Sequence, residues 1–203
     1  MKANIKLVTV LGLALAMFSQ HSVAAAGTRF KFKGDSANAF FESTNGCITT
    51  FVFVLGSDNM SPGQGDASSH AGLSISKADT CTGEILMSAS GPVPLDRSDF
   101  EISGGFDSAT LNATVTVFDA ISGSAFDVSI DVTWAAFGPR LRQSNSSQID
   151  FPDCKISTRF RGTSRQAEAV GTISDAMANL IPEAGSGQIL QARSGEWFVG
   201  CGV

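Results

Sequence analysis

The sequence predicts an all-β domain, an antiparallel β-sandwich with an up-and-down β-barrel as the alternative. Three observations lead there. Beyond residue 26 no stretch keeps a helical period; short runs of alternating apolar and polar residues recur between clusters of Gly, Ser, Asp and Thr. The connections between these runs are too short for crossover helices, so neighbouring strands should be antiparallel. The chain is 43% hydrophobic and 16% charged, with 21 Gly and 15 Phe, which is too apolar and too weakly charged for a disordered protein. Its 203 residues contain no linker and no internal repeat, so one domain is expected.

Residues 1–26 read as a signal peptide. Lys2 and Lys6 form a positive start, Leu7 to Phe18 is an uncharged apolar run, and Val23-Ala24-Ala25-Ala26 offers small residues for cleavage. The run is too short for a stable membrane anchor, and no second one follows, so an integral membrane protein is not expected. Cleavage near Ala26 leaves a single domain, residues 27–203, in the periplasm or outside the cell. Losing Lys2 and Lys6 takes the net charge from −5 to −7, an acidic balance that argues against nucleic acid as the partner.

The strands follow in order. Phe30-Lys31-Phe32-Lys33 alternates strictly, Cys47 to Leu55 is β-branched and aromatic, and Leu73 to Ser76 alternates again. Glu84 to Ser90 follows the turn at residues 79–83, and Phe100 to Ile102 starts a strand that Gly104-Gly105 interrupts. In the clearest hairpin, Leu111–Phe118 faces Phe126–Trp134 across a loop at residues 120–125. Setting Val117 against Val128 also sets Val115 against Ile130, Ala113 against Val132 and Leu111 against Trp134, all on one face. A second hairpin should turn at Gly162–Arg165, placing Phe160, Thr158 and Ile156 on the inner face opposite Ala167, Ala169 and Gly171. The same register puts Arg159 beside Glu168. A third should turn at Arg193–Glu196, between Gln188–Ala192 and Trp197–Cys201. Ser174 to Ile181 is the only helix candidate. Ten to twelve strands are expected.

Four cysteines, an even number in an exported chain, read as two disulfides. Following the meander from turn to turn places Cys47 and Cys81 at one end of their strands, and Cys154 and Cys201 together at one end of theirs. Bridging requires such proximity, so Cys47–Cys81 and Cys154–Cys201 are the expected pairs. There is no CxxC spacing and little histidine, so no metal site is expected, and no cofactor fingerprint is present.

Three groups of residues carry possible chemistry. His70 is the only histidine of the exported part, and with Ser68, Ser69 or Asp66 it is a candidate for nucleophilic catalysis, although no Gly-x-Ser-x-Gly elbow occurs. Asp99 and Glu101 form a carboxylate pair on one strand, suited in principle to glycoside hydrolysis. Arg140 and Arg142 flank Leu141, and Arg159 and Arg161 flank Phe160, so each pair points to one side of its strand. They lie in residues 140–165, a stretch of net charge +4 in an acidic chain. If their strands are neighbours, four guanidinium groups line one surface that suits a carboxylate, phosphate or sulfate on a glycan or lipid head group. The expectation is therefore an exported, disulfide-stabilised β domain that binds or builds rather than catalyses, with anionic ligands held at Arg140, Arg142, Arg159 and Arg161. The alternatives are a hydrolase using His70 or Asp99 with Glu101, and a carrier of small apolar ligands with an internal cavity.

Overall fold

The computed structural model describes residues 28–60, 68–96, 98–150, 154–175, 179–181 and 183–201. The expected signal peptide, and Asp66 beside His70, lie outside them. Nine strands are described: β1 (Thr28–Asn45), β2 (Ile48–Met60), β3 (Ser68–Asp79), β4 (Glu84–Leu95), β5 (Phe100–Ile102), β6 (Ser108–Asp119), β7 (Ser124–Asp150), β8 (Cys154–Ser174) and β9 (Gly185–Cys201). They form one sheet in the order β4-β3-β2-β1-β9-β8-β7-β6-β5, antiparallel throughout. β4 also pairs with β6 through Ala89↔Asp119 and Ser90↔Phe118. The two ends of the sheet thus meet in a ring, over a seam of only two residue pairs, too short to make a regular barrel. The domain is all-β and antiparallel, as the alternation predicts.

Period-two alternation decides which side chains fill the ring. On β6 and β7, Val115, Val117, Val128, Ile130, Val132 and Trp134 are all buried, while Thr114, Thr116, Ser129 and Asp131 between them are exposed. The hairpin has the expected faces but a different register. Val117 opposes Phe126, Val115 opposes Val128, and Ala109 opposes Trp134, a shift of two residues from the expected pairing. An even shift leaves every side chain on its own face. Its cause is a tighter turn, with Asp119 and Ser124 already paired. The Asp119 carboxylate accepts the backbone N–H of Ile121 at 3.1 Å and of Ser122 at 3.2 Å. The Gly123 N–H closes on the Asp119 carbonyl at 2.9 Å.

The second and third expected hairpins do not exist. β8 runs through Gly162–Arg165 without turning and spans 21 residues; β9 runs through Arg193–Glu196 and spans 17. Two long strands therefore stand where four short ones are expected. Gly162 reads as a turn residue in the sequence but serves close packing. A Cβ there would lie 2.2 Å from the Gln191 carbonyl oxygen and 2.5 Å from the Phe160 ring. Because no turn intervenes, Phe160, Thr158 and Ile156 alternate away from Ala167 and Ala169 and occupy the outer face, not the inner one. Glu168 opposes Ala135 and Ser186, and Arg159 opposes Ser146 and Glu196. Of the expected helical segment Ser174–Ile181, residues 176–178 lie outside the described residues, and Ser174 ends β8. Asn179 bridges to Ser174, and its side-chain oxygen accepts the N–H groups of Ile173 and Ile181, both at 3.2 Å.

Cys47 and Cys81 form a disulfide with Cα atoms 5.4 Å apart. Cys154 and Cys201 are direct register partners on β8 and β9. The reversals expected at 162–165 and 193–196 are both missing, and the loss of two reversals leaves Cys154 and Cys201 at the same end. Away from the Cys47–Cys81 end, β1, β9, β8 and β7 run on past the ring. β6 leaves β7 at Ser108↔Ala135, whereas β7 and β8 stay paired to Asp150↔Lys155. The result is a four-stranded extension of the ring wall.

Candidate functional site

The residues of this extension sort by register. In the last row of the ring interior, Gly56, Ala37, Ile189 and Arg165 stand side by side on β2, β1, β9 and β8, with Ala37 and Ile189 fully buried. Two positions further along each strand comes the row Asp58, Asp35, Gln191, Thr163 and Arg142. Alternate rows share a face, so this row continues the inner surface of the ring onto the extension. Beyond it, Arg161 faces Ser144 and Ser194, and Arg159 faces Ser146 and Glu196. Arg142, Arg159 and Arg161 therefore occupy one face of two neighbouring strands, and all three are exposed. Lys155, four residues from Arg159 on β8, shares that face and is exposed too.

The fourth arginine is diverted. Between Phe137↔Gln166 and Leu141↔Ser164, three β7 residues stand against one of β8. This bulge contains Gly138 at φ 69°, a conformation that favours glycine. It takes Arg140 off the register, and its guanidinium donates to the Gly105 carbonyl. Arg165 binds the same loop. It forms an ion pair with Asp107 and donates to the carbonyls of Gly138 at 3.0 Å and Phe106 at 3.4 Å. Phe106 itself is buried, with φ 58°, the one non-glycine in the left-handed region among the described residues. Arg140 and Arg165 thus anchor the loop Ser103–Asp107 at this end of the ring, while the other three guanidinium groups face solvent. Among the register partners of Arg142, Arg159 and Arg161 the one carboxylate is Glu196, opposite Arg159. Glu168, the partner expected for Arg159, stands nine residues away along β8.

Of the catalytic candidates, Asp66 lies outside the described residues, Ser68, Ser69 and His70 lie on β3, Asp99 lies in the turn before β5 and Glu101 lies on β5. His70 lies half-buried on β3 opposite Ser57, whose hydroxyl donates to the His70 carbonyl at 3.1 Å rather than to its ring. Ser69 donates to Asp58 at 2.7 Å. Asp99 caps the turn before β5, accepting the Asp96 N–H at 2.8 Å, and Glu101 is exposed opposite Thr110. Cys47, Cys81 and Asp79 approach one another closely, but the two sulfurs are bonded together, and the Asp79 carboxylate accepts the N–H groups of Cys81 and Thr82 at 2.8 and 3.0 Å.

One carboxylate pair is invisible in the sequence. Asp35 and Asp58 are direct partners across β1 and β2 at the mouth of the ring. Burial pushes the Asp35 carboxyl above its ordinary value, a hydrogen bond with Gln191 opposes the rise, and the neighbouring Asp58 charge adds to it. The two residues are 23 positions apart in sequence, and only the β1–β2 register links them.

No protein-family model matches the chain, and no curated protein does. Among solved structures it is similar to a protein of Nitrosomonas europaea described provisionally as AttH, with 13% sequence identity and a TM-score of 0.30. That match covers 83% of this chain and 51% of the other, so this chain spans about half the length of that protein.

Proposed function

We propose that this protein is an exported, non-catalytic binding module for anionic ligands, held at Arg142, Arg159 and Arg161. One observation carries the reading: three exposed guanidinium groups lie on one face of adjacent strands, and Glu196 opposite Arg159 is the one carboxylate among their register partners. Guanidinium groups suit this task because their planar fork matches carboxylate, phosphate and sulfate oxygens in pairs. Export to the periplasm or the extracellular space accords with the Cys47–Cys81 disulfide, which an oxidising compartment favours, and with the leader-like residues 1–26. No described helix is long and apolar enough to cross a membrane. Arg140 drops out of the ligand set because its guanidinium holds Gly105. The hydrolase alternative draws less support, since the Asp99 carboxylate caps a turn and the Ser57 hydroxyl opposite His70 donates to its backbone carbonyl.

The test is a salt titration of binding to anionic surfaces, sulfated polysaccharide and anionic lipid vesicles in parallel. Retention should weaken steeply as salt rises, and the triple variant R142Q/R159Q/R161Q should lose it. A triple variant that binds both surfaces like the wild type removes the arginine face from consideration.

A further inference from the structure

The arginine face is larger and more ordered than a pocket for one anion. Along β8 the positions on that face are Lys155, Ser157, Arg159, Arg161 and Thr163, and every one is polar or charged. At ~3.3 Å per residue they span about 26 Å, with the three cations separated by about 13 and about 7 Å. Their β7 partners are Asp150, Gln148, Ser146, Ser144 and Arg142, so every row from Ser157 to Thr163 offers a hydroxyl, an amide or a cation, and Lys155 alone stands opposite a carboxylate residue on β7. On the β9 side the same face carries half-buried Phe198 opposite Ser157, Glu196 opposite Arg159 and Ser194 opposite Arg161, so two carboxylate residues, Asp150 and Glu196, stand among the three cations of β8 and Arg142. At the ring end the strip meets the row of Gln191, Asp35 and Asp58, so an anionic ligand is steered along β8 and away from β1 and β2.

Resting on the proposed anion-binding reading, we infer that the ligand is an acidic polysaccharide, laid lengthwise along β8 from Lys155 to Thr163. Cations spread over such a length match charges repeated along a chain, whereas a single sulfate or phosphate meets one or two of them. The interleaved Ser, Thr and Gln side chains suit sugar hydroxyls, and the Phe198 ring offers a flat apolar surface to a sugar face. A nucleic acid is the other linear polyanion. It is disfavoured because on the extension this face of β7, β8 and β9 carries one aromatic side chain, Phe198, among the described residues, too few for successive bases to stack on.

The experiment measures affinity for sulfated oligosaccharides of increasing length, beside single-stranded DNA and a monosulfated disaccharide, at fixed salt. Affinity should climb with saccharide length and level off once the strip is spanned. Lys155→Gln should weaken the long chains about two- to fivefold, the effect of one exposed charge contact, and leave the disaccharide unchanged, with Lys155→Arg restoring the loss. Equal affinity for disaccharide and long chains overturns the lengthwise inference and leaves a small anion site at the arginines. Tighter binding of DNA than of any saccharide overturns the polysaccharide assignment. If no anionic probe binds at all, the anion-binding reading itself falls.

Discussion

The indole N–H of Trp134 donates to the backbone carbonyl of Asn38 at 2.9 Å, joining β7 to β1 across 96 positions of sequence. Between those strands lie β8 and β9, and the register partners of Trp134 there are Ala169 and, beyond it, Gly185. Small residues in this row let a fully buried indole lie across the inner surface and bind a strand three places away. The bond ties opposite parts of the ring wall, which the two-pair seam between β4 and β6 does little to hold.

Trp134→Phe removes the donor and part of the ring volume while keeping an aromatic side chain. The loss should be about 2–4 kcal/mol, combining an unsatisfied carbonyl with a partly filled cavity. Urea denaturation checks this; a variant within ~0.5 kcal/mol of wild type, the range of neutral surface changes, shows that the indole does not brace the ring.

Gly171 stands at φ 146°, and a Cβ there would lie 2.0 Å from the Asp131 carbonyl oxygen. Gly171→Ala should therefore cost about 2 kcal/mol or more, since both backbone conformation and the β7–β8 spacing oppose it. At Gly104 nothing lies within 4 Å of the place a Cβ would take, so Gly104→Ala should change stability by less than about 0.5 kcal/mol. Thermal melts of the pair give the comparison directly.

Two carboxylates should show opposite pH signatures. The Asp119 carboxyl is held down to about 2 by the Ser122 hydroxyl first and then by the Ser88, Ile121 and Ser122 N–H groups. Its folded value lies below the ordinary 3.8, so its contribution is complete above that value and disappears as pH falls from about 4 towards 2. Asp119→Asn should be less stable at neutral pH and flatter over that window. Asp35 is raised instead, so its charged form works against folding once pH rises past its folded value. Asp35→Asn should remove that penalty and stabilise the protein at neutral pH. Denaturant midpoints across a pH series separate the two; parallel profiles for wild type and Asp119→Asn would refute the capping role.

Cys154 and Cys201 are paired in register across β8 and β9 at the far end of the extension. Peptide mapping without reduction should recover a Cys154–Cys201 linkage beside Cys47–Cys81. Opening either bridge should cost about 2–4 kcal/mol. Recovery of free thiols at 154 and 201 would leave the extension without a disulfide.

The fold is legible in the sequence where side chains alternate against a buried face. Val115, Val117, Val128 and Ile130 can be placed inward from their spacing alone, because any even slip preserves that assignment. The register itself depends on how Asp119 caps its turn, which alternation cannot report. Gly162 shows why a glycine misleads. A glycine that opens a turn and a glycine that lets a neighbouring strand approach look alike in one sequence, and only the Gln191 carbonyl beside Gly162 tells them apart. Of the arginine face, the pairing of Arg159 with Arg161 is visible from their spacing. The exclusion of Arg140 is not, because it follows from the bulge at Gly138 and the position of the Gly105 carbonyl.

Elution from a sulfated-polysaccharide column under a salt gradient tests the arginine face most directly, with R140Q set beside R142Q/R159Q/R161Q. The triple variant should elute at markedly lower salt than wild type, and R140Q should elute with wild type because its guanidinium already serves the Gly105 carbonyl. Coincident elution of the triple variant and wild type, or an R140Q shift as large as the triple variant's, would contradict the assignment.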